Sequence, residues 1–241
     1  MWTPDGRRIA FSAVRDGVED LYWQNADGSG APELLTRKPE RQLFPTSFSP
    51  DGTQLVFDRS STPSSDVAIV TVDAGRETKN LLQKNLLQTP FNEQSAEISP
   101  DGRWLAYQSN ESGRAEVYVR PFPDVNAGRW QISTQGGTRP LWARNGRELF
   151  YLVAPTAEGL IDALNAVPIQ SGPSFAAGPS RTVFKGSYLA TSDSRMYDVS
   201  PDGQQFLMIK EASSTNQTAA PPSLVIVQNW TEELKRLVPT R

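Results

Sequence analysis

Five acid or amide residues, Asp5, Asp51, Asp101, Asn145 and Asp202, each stand directly before a glycine: Gly6, Gly52, Gly102, Gly146 and Gly203. Four of them follow a proline, Pro4, Pro50, Pro100 and Pro201. A hydroxyl, a carboxylate and a glycine within four residues is the kind of run that opens a cation-binding loop. An EF-hand loop, however, needs more acidic oxygens at alternate positions and a distal glutamate. The runs are therefore read as turns: proline presets φ, Asp or Asn bonds nearby backbone amides, and glycine accepts a positive φ. Their carboxylates are expected to be spent on geometry.

Composition narrows the chemistry further. The 241 residues include 24 basic and 27 acidic side chains, a formal net charge of −3, with no histidine and no cysteine. Ser-His-Asp and Cys-His catalysis, Cys or His zinc sites, disulfides and thiol redox motifs are excluded. No cofactor is expected. The basic footprint of a nucleic-acid-binding protein is missing. The longest apolar runs are strand-sized, against the roughly 20 residues of a membrane helix, and the amino terminus lacks a signal peptide's basic and apolar regions. No membrane insertion by this segment is expected, and cysteine usage leaves the compartment open.

The turns recur with a period. Their glycines are separated by 46, 50, 44 and 57 residues, close to the roughly 40–50 residues of a four-stranded propeller blade. An alternating strand follows each turn (Arg8–Phe11, Gln54–Phe57, Trp104–Tyr107, Glu148–Tyr151, Gln205–Met208), then a third strand rich in β-formers (Asp20–Trp23, Val67–Val72, Glu116–Val119, Leu164–Ile169, Leu224–Val227). A shorter, more polar fourth strand follows in four repeats (Glu33–Thr36, Asn80–Leu82, Trp130–Ser133, Arg181–Phe184). The sequence thus predicts an all-β fold, a β-propeller of about five antiparallel four-stranded blades in one domain over 1–241, with a β-sandwich as the runner-up. The blades fall at about 1–36, 43–83, 93–134, 138–185 and 195–230. A short helix follows over 231–238, capped at Thr231 and stopped by Pro239. The first repeat starts at its turn, so an inner strand, and with it more chain upstream, is expected. Ala154 to Asp162 reads as a lengthened loop.

The Ser-Pro-Asp-Gly repeat resembles the WD40-like PD40 propeller repeat of TolB and its relatives. Ser99–Tyr107, Glu111–Pro123, Trp130–Gly137 and Gly146–Tyr151, with Asn229–Leu237, resemble more narrowly the C-terminal propeller of bacterial membrane-anchored serine/threonine protein kinases. In that family the propeller follows a kinase domain and a linker and senses or binds a partner. The resemblance implies a periplasmic or extracytoplasmic place. The kinase is absent from this segment, which has neither a His-Arg-Asp run nor Asp-Phe-Gly.

The expected function is a non-catalytic scaffold for a protein, peptide or envelope ligand, carried by loops on a rigid frame. Arg41, Glu93, Arg139 and Arg195, near the entries to inner strands, are the candidate partner-binding rim, on the face opposite the Pro-Asp-Gly turns. The alternative is a carboxylate-dependent glycoside hydrolase or lyase, which needs two carboxyls about 5–9.5 Å apart. No spacing in the sequence picks such a pair. A prolyl-oligopeptidase gate would require a hydrolase domain that does not follow here.

Overall fold

The computed structural model describes residues 1–36, 42–60, 64–72, 83–153, 160–172, 174–189 and 195–209. They form antiparallel sheets in which consecutive strands are neighbours. The first sheet joins β1 (Arg8–Arg15), β2 (Val18–Asn25) and β3 (Glu33–Leu34). The second runs β4 (Leu43–Phe48), β5 (Gln54–Ser60), β6 (Ser65–Thr71) and β7 (Gln83–Leu87); the third β8 (Glu93–Ile98), β9 (Trp104–Ser109), β10 (Glu116–Pro121) and β11 (Trp130–Gln131). The fourth contains β12 (Thr138–Trp142), β13 (Glu148–Leu152) and β14 (Leu160–Ser171), the last pairing with both β15 (Phe175–Ala177) and β16 (Arg181–Leu189). The fifth pairs β17 (Tyr197–Val199) with β18 (Phe206–Met208).

The second, third and fourth sheets each bury both faces, one against each neighbouring sheet, and this makes the assembly radial. One apolar cluster joins Ala10, Leu21 and Trp23 of the first sheet to Leu55, Phe57 and Val70 of the second. Val56, Val67 and Ile69 point the other way, against Ile98, Leu105 and Tyr107 of the third. Further clusters fill the gaps between the third and fourth sheets and between the fourth and fifth. Runs such as Leu55-Val56-Phe57 are apolar without interruption because alternate side chains serve two different interfaces. A two-sheet sandwich has one interface and does not account for four.

The turns are built as their residues dictate. Ser49 Oγ donates to Asp51 Oδ1 (2.5 Å), Asp51 accepts from the Thr53 amide (3.0 Å), and Gly52 donates to the Ser49 carbonyl (2.8 Å) with φ of 72°. The Thr3, Ser99 and Ser200 turns repeat the hydroxyl-to-Asp bond. At the fourth turn Ala143 has no hydroxyl, and Asn145 keeps only the bond from the Arg147 amide. Successive turns touch: a Cβ added to Gly52 would lie 3.6 Å from Pro4, and one added to Gly102 would lie 3.5 Å from Pro50.

A second device closes the outer half of the sheets. Thr36 Oγ1 donates to buried Asp20 (2.9 Å) and accepts from the Leu21 amide (2.9 Å). Ser133 does the same with Glu116 and the Val117 amide. These acid–hydroxyl clasps pin the fourth strand even where it is only two residues long.

Several boundaries differ from the sequence reading. Met1–Thr3 already run beside β1 as the stub of an inner strand, through Thr3 N–H to Arg8 O (2.9 Å) and Ala10 N–H to Met1 O (2.7 Å). The second sheet's outer strand begins at Gln83; the expected Asn80–Leu82 lies outside the described residues. β14 begins at Leu160, inside the expected loop, and β15 was unforeseen: it pairs back on the end of β14, Phe175 opposite Ser171. The expected strand at Leu224–Val227 and the helix at 231–238 lie outside the described residues.

Replacing Thr36 by Val removes a buried donor and acceptor at constant shape, leaving Asp20 and the Leu21 amide short of a partner. Urea unfolding is expected to show a loss of about 1–3 kcal/mol, and T36S should restore most of it.

Candidate functional site

The inner strands converge on a cavity of about 940 Å³. Its wall is made by Phe44 to Phe48 of β4, Ser95 to Ile98 of β8, Leu141 and Trp142 of β12, and Arg195 to Asp198 around the start of β17. Pro4, Gly6, Pro50, Pro100 and Arg144 of the turns also line it.

This wall is cross-bonded from one sheet to the next. Each of β4, β8 and β12 carries a bulge, seen as a register shift after Pro45, Gln94 and Thr138. At two of the bulges the backbone is left-handed, with φ of 54° at Ser95 and 51° at Arg139, and the freed amide donates across the sheet boundary. Ser95 N–H bonds Asp58 Oδ2 (2.7 Å), and Arg139 N–H bonds Gln108 Oε1 (2.9 Å). Pro45, at the first bulge, has no N–H to satisfy. Three residues further on, Ile98 N–H bonds Ser47 Oγ (3.1 Å), and Trp142 N–H bonds Glu97 Oε2 (3.1 Å).

Charges concentrate here. Arg195 reaches from the fifth sheet to Glu97 of the third (3.1 Å) and to the Pro140 carbonyl (3.4 Å). Tyr197 OH donates to the Arg139 carbonyl (2.8 Å). Burial pushes the Glu97 carboxyl up from its ordinary value, an effect that Arg195 and the Trp142 amide oppose. Asp58, 7 % exposed, is pushed up to about 7 by burial, against the Ser95 and Ala96 amides. The turn acids move the opposite way: hydroxyl and backbone donors hold Asp5, Asp51 and Asp202 below the ordinary range.

Of the four residues expected at the rim, only Arg195 lines this cavity. Glu93 is 2 % exposed and bonded by Thr89 (2.5 Å) and Ser109 (3.4 Å), so it braces the start of β8. Arg139, 6 % exposed, serves through its backbone, and Arg41 lies outside the described residues. Asp58 and Glu97 escaped the sequence reading, although aligning the repeats flags them. The register of Asp58 holds Ser12, Gln108, Leu152 and Ile209 elsewhere; that of Glu97 holds Ser47 and Leu141, and a second acid, Asp198, in the fifth repeat.

Residues 1–220 match the family model PD40, TolB beta propeller domain. An uncharacterized protein of Agrobacterium fabrum is 26 % identical over 165 residues, 63 % of this chain and 53 % of its own length. Among solved structures, a TolB from Agrobacterium tumefaciens superposes with a TM-score of 0.64 at 19 % identity, covering 87 % of this chain and 73 % of that one. TolB from Acinetobacter baumannii gives 0.57 at 20 %, covering 84 % and 46 %. The chain thus spans about half the length of the curated relative it matches.

The raised Asp58 carboxyl fixes a pH dependence. Its folded value of about 7 exceeds the ordinary 3.8, so its contribution to stability is complete below about pH 4 and is lost as pH rises to 7. Asp58→Asn should therefore melt as the parent does at pH 4 and gain on it progressively up to pH 7–8. The gain is at most about 4 kcal/mol, from 1.36 kcal/mol per pH unit, read by chemical denaturation across pH.

Proposed function

Because the family match runs over most of its length, this chain belongs to the TolB beta propeller family, and from that premise we propose that it is a non-catalytic binding scaffold. Its working surface is the cavity ringed by the inner strands and the Pro-Asp-Gly turns. One observation carries the reading. Of the six large hydrophobic side chains exposed among the described residues, four (Met1, Trp2, Leu207 and Ile209) line this one cavity, with Trp2 57 % and Leu207 73 % exposed. Apolar side chains gathered at one concave place, beside polar and charged groups held by a cross-bonded frame, favour docking of a protein segment or peptide. The net charge of −3 and the acids in the wall disfavour nucleic acid.

The hydrolase alternative is less well supported. It requires two carboxyls at a set separation, one of them kept protonated. Asp58, Glu97 and Asp198 do share the cavity wall, but Glu97 is tied to Arg195 and the Trp142 amide, Asp58 holds the Ser95 amide, and the turn acids are held by their own turns. The finer reading, the sensor or interaction part of a larger bacterial protein such as a membrane-anchored kinase, working outside the cytoplasm, rests on the resemblance of Ser99–Tyr107 and Glu111–Pro123. The share of its relative that the chain spans is compatible with it.

The test is selection of peptides from a random displayed library on the purified chain, followed by chemical-shift mapping. Shifts are expected at the Trp2 indole and the Ser95–Ile98 amides. Trp2→Ala should weaken binding by about tenfold or more, roughly 1.4 kcal/mol, without lowering the melting temperature. Shifts confined to the Arg15–Gly17 and Asn110–Arg114 loops would overturn the assignment of the cavity.

A further inference from the structure

Asp58 has a charge that the fold does not use. The bond it supplies, an acceptor for the amide at the bulge of the next inner strand, is supplied one sheet further on by the neutral amide of Gln108 at nearly the same length, 2.9 Å against 2.7 Å. Where the next bulge carries Pro45 and offers no N–H, the corresponding position holds Ser12. A carbonyl oxygen suffices for the frame. A carboxylate adds a second oxygen, Oδ1, which is buried and receives no hydrogen bond. Burying a carboxylate without a partner is costly, and such groups are held in proteins mainly where something binds them.

Among the described residues no cation is paired with Asp58. The cavity wall contains two arginines and no lysine among the described residues. Arg195 is engaged with Glu97 and the Pro140 carbonyl. Arg144 is exposed at the fourth turn, and neither arginine bonds Asp58. Two more acids, Glu97 and Asp198, share the same wall. A metal ion is disfavoured, since the described residues contain no group of three or more acids placed to hold one.

From the orphaned Oδ1, the neutral residue doing the same work at Gln108, and the place of Asp58 in the cavity wall, we infer that the cavity takes a ligand bearing an organic cation, an ammonium or guanidinium, which docks on Asp58. The inference rests on the cavity being the binding surface and deepens that reading: the segment received there carries a lysine, an arginine or a free amino terminus, with apolar neighbours to meet Trp2 and Leu207. The proton balance is simple. With its carboxyl at about 7, Asp58 is largely protonated in mildly acidic solution; docking of the cation replaces that proton, which goes to solvent.

The probes are N-acetyl-lysine methylamide and N-acetyl-arginine methylamide, with N-acetyl-norleucine methylamide as the uncharged isostere, titrated against the full chain by NMR. Either cation is expected to shift the Ser95 and Ala96 amides saturably, and the norleucine compound is not. Affinity should rise about tenfold from pH 6 to pH 8 as the ionised fraction rises. Asp58→Asn and Asp58→Gln keep an acceptor for Ser95, the second having the residue found at position 108; both should fold and lose at least tenfold in affinity. Equal binding by the parent and these variants, or equal binding of the norleucine compound, overturns the inference. So does the absence of any shift at Ser95 with the cations while library peptides still map to the cavity, and in that case the cavity reading stands alone. Library peptides mapping to the opposite loops would overturn both.

Discussion

The structure depends on satisfying backbone amides across sheet boundaries. The inner strands β4, β8 and β12 bulge, and a bulge turns an N–H away from its own ladder. Buried near the axis, that N–H must find an acceptor, and it finds one on the neighbouring sheet: Asp58 for Ser95, Gln108 for Arg139. The companion bonds from Ile98 to Ser47 and from Trp142 to Glu97 tie the same strands a second time. Apolar packing would hold the sheets face to face at a range of offsets. These bonds select one offset, and so they set the shape of the cavity.

The acids divide by environment. At the turns, carboxylates sit among donors and near water, their ionised form is favoured, and they are structural parts. In the interior, carboxylates are drawn into the frame by a single useful oxygen and are stranded by the second. Glu116 solves this with the Ser133 hydroxyl on one oxygen and Arg114 and the Gly136 amide on the other, while Glu97 draws Arg195 onto the oxygen that also accepts the Trp142 amide. Asp58 has no such solution among the described residues. Asp66, Glu93 and Glu111 also keep a buried oxygen without a partner, but of these four acids Asp58 is the one in the cavity wall, which is what makes it a place for a ligand.

The turns were legible because they are local: Pro, Asp and Gly within four residues specify their own hydrogen bonds, and the 44–57-residue spacing then requires repeated sheets. The strands after each turn were legible for the same reason, as short alternating strands directly after each turn glycine. The outer strands β3 and β11 begin where the sequence places them, at Glu33 and Trp130, but end earlier than it suggests. They have two residues each, and they are held by clasps between residues 16 or 17 apart in sequence, beyond the reach of local pattern.

The site itself was mostly hidden. Glu93 and Arg139 looked like solvent-facing charges because nothing local says that β8 and β12 are covered on both sides. Asp58 looked like an ordinary strand acid for the same reason. By itself the sequence determined the all-β propeller repeat, the chemistry of its turns and the absence of histidine and cysteine catalysis, since composition and short-range geometry settle these. Only the tertiary structure decided which charges meet. Asp58 and Ser95, or Glu97 and Arg195, come from different sheets 37 and 98 residues apart, and their burial, partners and ionisation exist only once the sheets are stacked.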